Sequence, residues 1–299
     1  MRDSSTIEPL NLDHFEDMFF REAIRRHVEE YRAHFGERLA AIYVSGSVHR
    51  NEAVRGISDL DLHPFITDTF SETDWQWKRR VQRQLDLEFG AACDLPPARP
   101  VTEAFLRGMQ APSGTRTIVA DAVDGTLRQQ FQPEERPGML ARAFGILLHY
   151  DATLVWGRDL IEGLQIPPPD RTWAQGWFLS PWELTRYAAG VAKENRTDFD
   201  LPEEPRLRLH ELAKLAKLGG AALLMARGEF RSFRYADVFP SLKQLFPEWS
   251  SFLDESSESY FPATEPTPGR VSAYLSRLAA WMEWIGAQLY GDAAVRRAE

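Results

Sequence analysis

The chain has 299 residues, 43% of them hydrophobic and 12% aromatic, with a formal net charge of −9. That length and apolar content exclude a disordered chain and suffice for two cores, and no basic run offers the surface that long nucleic acid requires. The single cysteine, Cys93, excludes a disulfide framework and a thiolate-rich zinc site.

No apolar stretch approaches the roughly 20 residues of a membrane span, and the start Met1-Arg2-Asp3-Ser4-Ser5 has no secretory apolar core, so a cytoplasmic protein is expected. Cys93 itself is expected to pack as a small buried filler. In chain order, Phe20, Ile24, Val28 and Tyr31 predict a helix within 13–38, ended by Gly36. Ile42, Tyr43 and Val44 predict a short buried strand that stops at Gly46. Gly46-Ser47 then forms a turn where a glycine lets backbone approach a ligand and the serine hydroxyl can donate to a phosphate oxygen.

Asp59 and Asp61 follow, with eleven residues between Ser47 and Asp59, at the start of an apolar alternation through Leu60, Leu62 and Phe65. On a strand, both carboxylates project to one face while Leu60 and Leu62 enter the core. Adjacent carboxylates repel, and a divalent cation between them relieves the repulsion; hard oxygen ligands suit Mg²⁺ that also holds substrate phosphates. An Asp-x-Asp alone is a common solvated strand end. Its conjunction with a Gly-Ser turn is what specifies a phosphate grip beside a metal site.

Gly46-Ser47 and Ser58-Asp59-Leu60-Asp61-Leu62 resemble the signature of the nucleotidyltransferase superfamily that includes DNA polymerase beta, and the layout is similar to that of the aminoglycoside nucleotidyltransferases. Arg50 stands where many small members carry an arginine. Asn51 replaces the glycine usual after it, and the loop to Asp59 is about one residue longer than in many relatives. The resemblance implies an α/β (α+β) core with a mixed sheet and one or two Mg²⁺ ions held by Asp59 and Asp61. It implies ATP or another NTP as co-substrate, bound by Gly46, Ser47, Arg50 and Ser58. It also implies a third carboxylate on a later strand, for which Asp94 stands in the approximate position and Asp121 is the alternative. Asp86, Glu88 and Glu103 read as solvated helix positions. Pro96 and Pro97 confine any strand beside Asp94 to a sheet edge or a strand end.

Residues 72–89, with Trp77, Val81, Leu85 and Phe89, have the spacing of an amphipathic helix. The segment 108–138 reads as loops around one strand near Ile118–Val123, and 147–160 as a last strand or hairpin, with Asp159 capping the turn at Leu160. The linker Ile166-Pro167-Pro168-Pro169-Asp170 separates a catalytic domain, 1–165, from a helical domain, 171–299. The second domain reads as an all-α bundle with helices over 181–196, 205–228, 234–246 and 270–290. In it Lys214 and Lys217 are candidates for contact with the triphosphate, since relatives place basic residues of a C-terminal helix there. A solvated face explains either lysine as well. Asp94 or Glu183 would take the acceptor proton.

These readings predict transfer of a nucleoside monophosphate to a hydroxyl of a small-molecule acceptor, aminoglycoside-like and cationic or neutral, with release of pyrophosphate. The acidic charge suits such a partner better than a membrane or long nucleic acid. Nucleotidylation of a protein or tRNA, and a nucleotide-binding module without turnover, are the alternatives.

Overall fold

The computed structural model describes residues 10–90, 93–111, 117–120, 127–130, 136–192, 197, 200–261 and 264–291. The chain divides into two compact units, one from residues within 1–112 and 137–167, the other from residues within 113–136 and 168–299. Asp121 lies outside the described residues.

In the first unit, α1 (Met18–Phe35) is opened by Asp17, whose carboxylate accepts the Phe19 N–H at 2.7 Å, and closed by Gly36 at φ +52°. It leads to β1 (Leu39–Ser45), a one-turn helix α2 (Gly46–His49), β2 (Leu62–Ile66) and α3 (Glu72–Phe89). A reciprocal capping box between Ser71 and Asp74 fixes the start of α3. Next come β3 (Arg99–Pro100), α4 (Glu103–Met109), α5 (Arg136–Tyr150) and β6 (Ala152–Gly157). The four strands run in the order β3-β2-β1-β6; β1 is antiparallel to β2 and β6, and β2 is parallel to β3. The sheet is therefore mixed, as the sequence predicts.

Alternation on the strands sorts side chains into two layers. Ile42, Val44, Leu62 and Ile66 pack with Ile24, Val28 and Tyr31 of α1 and Trp77, Val81 and Leu85 of α3. Ala41, Tyr43 and Phe65 pack on the other face with Met109 of α4 and Phe144 and Leu148 of α5. β3 is held to two residues at the sheet edge, directly after the Pro96-Pro97 pair, because prolines supply no ladder donors.

The second unit contains the hairpin β4 (Thr117–Ala120) and β5 (Leu127–Gln130), followed by α6 (Arg171–Ala188), α7 (Pro205–Arg227), α8 (Tyr235–Leu245), α9 (Ser250–Tyr260) and α10 (Pro268–Tyr290). α7 is the central helix of this bundle, packed against α6, α8, α9 and α10. No helix among the described residues is long and apolar enough to cross a membrane.

Two expectations shift and a third holds. Leu147–Tyr150 end α5, and the strand begins only at Ala152. α6 starts at Arg171 rather than at 181, because Asp170 caps it through the Trp173 N–H at 2.9 Å and the helix continues through Pro181. Asp159 does cap its turn, accepting the Ile161 N–H at 3.1 Å and the Tyr43 hydroxyl at 2.8 Å.

Candidate active site

The β1–β2 register pairs Val44 with Leu62, and the Ser45 N–H donates to the Asp61 carbonyl at 2.9 Å. This one bond carries the ladder past the end of β2 and sets Gly46 beside Asp61. Gly46 takes φ +69°, and a side-chain carbon there would collide with Asp61 Oδ2. Only glycine leaves room for that carboxylate.

Ser45 precedes α2 without capping it, because its hydroxyl is hydrogen-bonded to His63 Nε2 at 2.7 Å. The first N–H groups of α2 therefore receive no side-chain cap. The Ser47 side chain is buried to 9% exposure, and its hydroxyl has no hydrogen-bond partner among the described residues. Burial holds His63 neutral, pushing its pKa down to about 4, and the Arg99 charge adds to the shift.

Asn51 is the one non-glycine residue with positive φ among the described residues, at +57°. Asparagine tolerates this left-handed conformation better than most residues. Its side-chain amide also donates to the His14 carbonyl at 2.9 Å and its Oδ1 accepts the Glu16 N–H at 3.1 Å. The loop then closes on Ser58, whose Oγ accepts the Val54 N–H at 2.9 Å while its own N–H donates to the Val54 carbonyl at 2.8 Å. Ser58 thus shapes the approach of Asp59. Asp59 itself is exposed, and Asp61 is half-buried.

The remaining residues singled out from sequence sit differently. Arg50 is enclosed, forming an ion pair with Glu52 at 3.0 Å and a two-oxygen contact with Asp151 at 2.7 Å, all three side chains at or below 9% exposure. The guanidinium ties the turn after β1 to the turn between α5 and β6. Asp94 lies five residues before β3, exposed, and meets Lys78 of α3 at 3.4 Å. Its neighbours are anchored: the Cys93 carbonyl is hydrogen-bonded to His27 Nε2 at 3.0 Å, and the Leu95 N–H donates to Gln82 at 2.6 Å. Among the described residues, no three His, Cys, Asp or Glu side chains are gathered as a metal-binding group. Burial pushes the Cys93 thiol up to about 11, helped by the Asp59 and Asp86 charges, in keeping with a packing role.

In the helical unit, Lys214 pairs with Glu211 at 3.6 Å, one turn away. Lys217 is buried, with Nζ 3.3 Å from the Tyr260 hydroxyl and 4.7 Å from the centre of its ring. Glu183 lies on α6.

Two residues beside the site escaped the sequence reading. His63 and Arg99 face the same layer as Phe144, whose ring lies 5.6 Å from His63 and 4.6 Å from the Arg99 guanidinium carbon. The alternation Asp59, Asp61, His63 signals the first; the second depends on the pairing of β3 with β2, which local sequence does not reveal.

No protein-family model matches the chain, and no curated protein matches it. Among solved structures, it is similar to spectinomycin adenyltransferase AAD(9) from Enterococcus faecialis with ATP and spectinomycin, at 14% identity over 88% of this chain and 98% of that one, with a TM-score of 0.45.

Proposed function

We propose that the chain is a nucleotidyltransferase that moves a nucleoside monophosphate, AMP from ATP in the first instance, to a hydroxyl of a small-molecule acceptor. The observation that carries this reading is the close approach of Gly46 to the Asp61 carboxylate. A glycine turn and the second acid of an Asp-x-Asp meet at one end of the sheet, held by the β1–β2 register. A carboxylate pair with one exposed and one half-buried member fits Mg²⁺, which prefers one or two protein carboxylates plus water and phosphate oxygens. Asp59 and Asp61 would hold it. When bound, the ion neutralises charge on the triphosphate.

In this reading the Gly46 backbone and the Ser47 hydroxyl orient the phosphates. The acceptor oxygen forms a new bond to the α-phosphorus, the bond from that phosphorus to the bridging oxygen breaks, and pyrophosphate leaves with the electron pair. The acceptor proton passes to a nearby carboxylate or to water; Asp94 and Glu183 remain the candidates for that role. Arg50 contributes by fixing the turn that carries Gly46 and Ser47, since its guanidinium is engaged by Glu52 and Asp151. Lys214 and Lys217 are retained as candidate triphosphate contacts.

The test is pyrophosphate release from each NTP with Mg²⁺ across a panel of aminoglycosides and related amino-sugars, with Asp59→Ala as control. Release that depends on one panel member and vanishes in the variant supports the reading. A second reading is a nucleotide-binding module without turnover; it fits the finding that no three His, Cys, Asp or Glu side chains are gathered as a metal-binding group among the described residues. ATP binding without release under every condition would select it.

A further inference from the structure

Several enclosed guanidinium groups of the first unit find acceptors, whereas Arg32, over Trp156, and Arg99 meet only aromatic rings among the described residues. Arg38 meets Asp68 at 2.6 Å and Asp74 at 3.0 Å, Arg50 meets Glu52 and Asp151, and Arg142 donates to the Pro167 carbonyl at 2.5 Å. Arg99 has no carboxylate or carbonyl acceptor among the described residues, only the face of Phe144. It is half-buried, and this loss of water lowers its pKa. A guanidinium presents five N–H donors in a plane, and leaving them partly desolvated without an acceptor costs free energy.

Its position gives that cost a purpose. β3 pairs in parallel with β2, with Arg99 opposite Phe65, so the two side chains share a face. Alternation puts His63 and Asp61 on that same face, and Phe144 touches the rings of His63 at 5.6 Å and Phe65 at 5.8 Å. His63 lies two residues, roughly 7 Å along a strand, from Asp61, and it is bonded to Ser45 next to Gly46. The guanidinium therefore stands in the row of side chains that leads to the Gly46–Asp61 corner, its Cα level with Phe65, four residues or roughly 13 Å along the strand from Asp61.

We propose that Arg99 recognises an oxyanion, a phosphate or carboxylate group, on the ligand that occupies this corner. A planar guanidinium matches the two oxygens of such a group. The inference rests on the Gly46–Asp61 corner being a ligand site, not on transfer occurring there. The shared chemistry can come from the nucleotide's phosphates or from an anionic group on the acceptor.

The experiment is calorimetric titration with inorganic phosphate, without metal or nucleotide, of the wild type and the Arg99→Met, Arg99→Lys and Arg79→Met proteins, each checked for native circular dichroism; Arg79 is an exposed arginine of α3 paired with Glu72. Saturable binding is expected in the wild type, weakened at least tenfold by Arg99→Met, less by Arg99→Lys, and not weakened by Arg79→Met. Absence of saturable binding to the wild type, or equal affinity in Arg99→Met, overturns the proposal. Titration with ATP and Mg²⁺ then separates the sources. A parallel loss in Arg99→Met assigns the oxyanion to the nucleotide, and unchanged ATP affinity with lost phosphate binding assigns it to the acceptor. Failure of the transfer reading shows up separately, as missing pyrophosphate release in a wild type that still binds phosphate.

Discussion

Arg50 and Arg99 are both withdrawn from water in the first unit, yet their surroundings are opposite. Arg50 is enclosed by Glu52 and Asp151, whereas Arg99 lies on the ring of Phe144 with no acid beside it. A buried cation whose donors are all engaged by the protein is part of the frame. One whose donors are left open is available to a ligand. The contrast predicts that the first arginine matters mostly for stability and the second mostly for binding.

The largest effect should come from breaking the enclosed side. Arg50→Met strands Glu52 and Asp151 as buried carboxylates without their counter-charge, a change that typically costs about 3–5 kcal/mol. Urea unfolding should show that loss, with Arg50→Lys intermediate because an ammonium restores charge without the planar two-oxygen contact. A loss below about 1 kcal/mol would show that the network is not the clamp described here.

Gly46→Ala acts on the corner beside the turn that Arg50 clamps. The added carbon collides with Asp61 Oδ2, and φ +69° is strained for alanine, so a stability cost of about 1–3 kcal/mol is expected. The displaced carboxylate should also reduce pyrophosphate release by about a hundredfold, the scale of a 1 Å misplacement in an active site. Alanine with full release would remove the observation on which the proposed function stands.

Arg38 is an intermediate case, about one-third exposed and paired with Asp68 and Asp74. The Arg38 guanidinium holds the Asp74 carboxyl well below the usual carboxylate range, with Ser71 and His34 assisting. Because the folded value lies below the unfolded one, this stabilisation is fully present above the unfolded value, about 4, and is lost as pH falls through the folded value. Unfolding free energy should therefore decline with acidification below about pH 4, and Arg38→Met should flatten that decline while costing about 1–3 kcal/mol at neutral pH. An unchanged acid slope in the variant would break the assignment.

Much of the first unit was legible because its signals are local. α1 and α3 have apolar faces at helical spacing and side-chain caps, and β1 ends where Gly46 interrupts a β-branched run. The misread segments are those where packing overrides local chemistry. Pro137-Gly138 reads as a loop, yet Pro137 sits in the first turn of α5, where its missing N–H costs nothing. α9, Ser-rich and acidic, shows little helical signal, but its buried Ser256 donates to the Phe252 carbonyl at 2.8 Å and accepts the Tyr274 hydroxyl at 2.9 Å. In the site, the Gly-Ser turn and the Asp pair were legible as motifs. The partners of Arg50 were not, since Asp151 lies 101 residues away. Neither was the place of Arg99, because a two-residue strand between prolines carries almost no pattern.

The smallest expected effect is the one that most sharpens the comparison. Arg99→Met preserves the apolar stem packed on Phe144 and removes only the charge, so the protein loses a cation–π contact worth about 0.5–1 kcal/mol at a partly exposed site and is relieved of a desolvated guanidinium. These terms oppose each other, and unfolding free energy should change by less than about 1 kcal/mol. Compared with Arg50→Met in the same denaturant series, the difference should be severalfold. If the two variants instead destabilise alike, Arg99 belongs to the frame, and its open donors say nothing about ligands. If only Arg50→Met destabilises while Arg99→Met leaves the fold intact, the charge on β3 persists at a site that does not need it for folding, and ligand recognition is the physical role left to it.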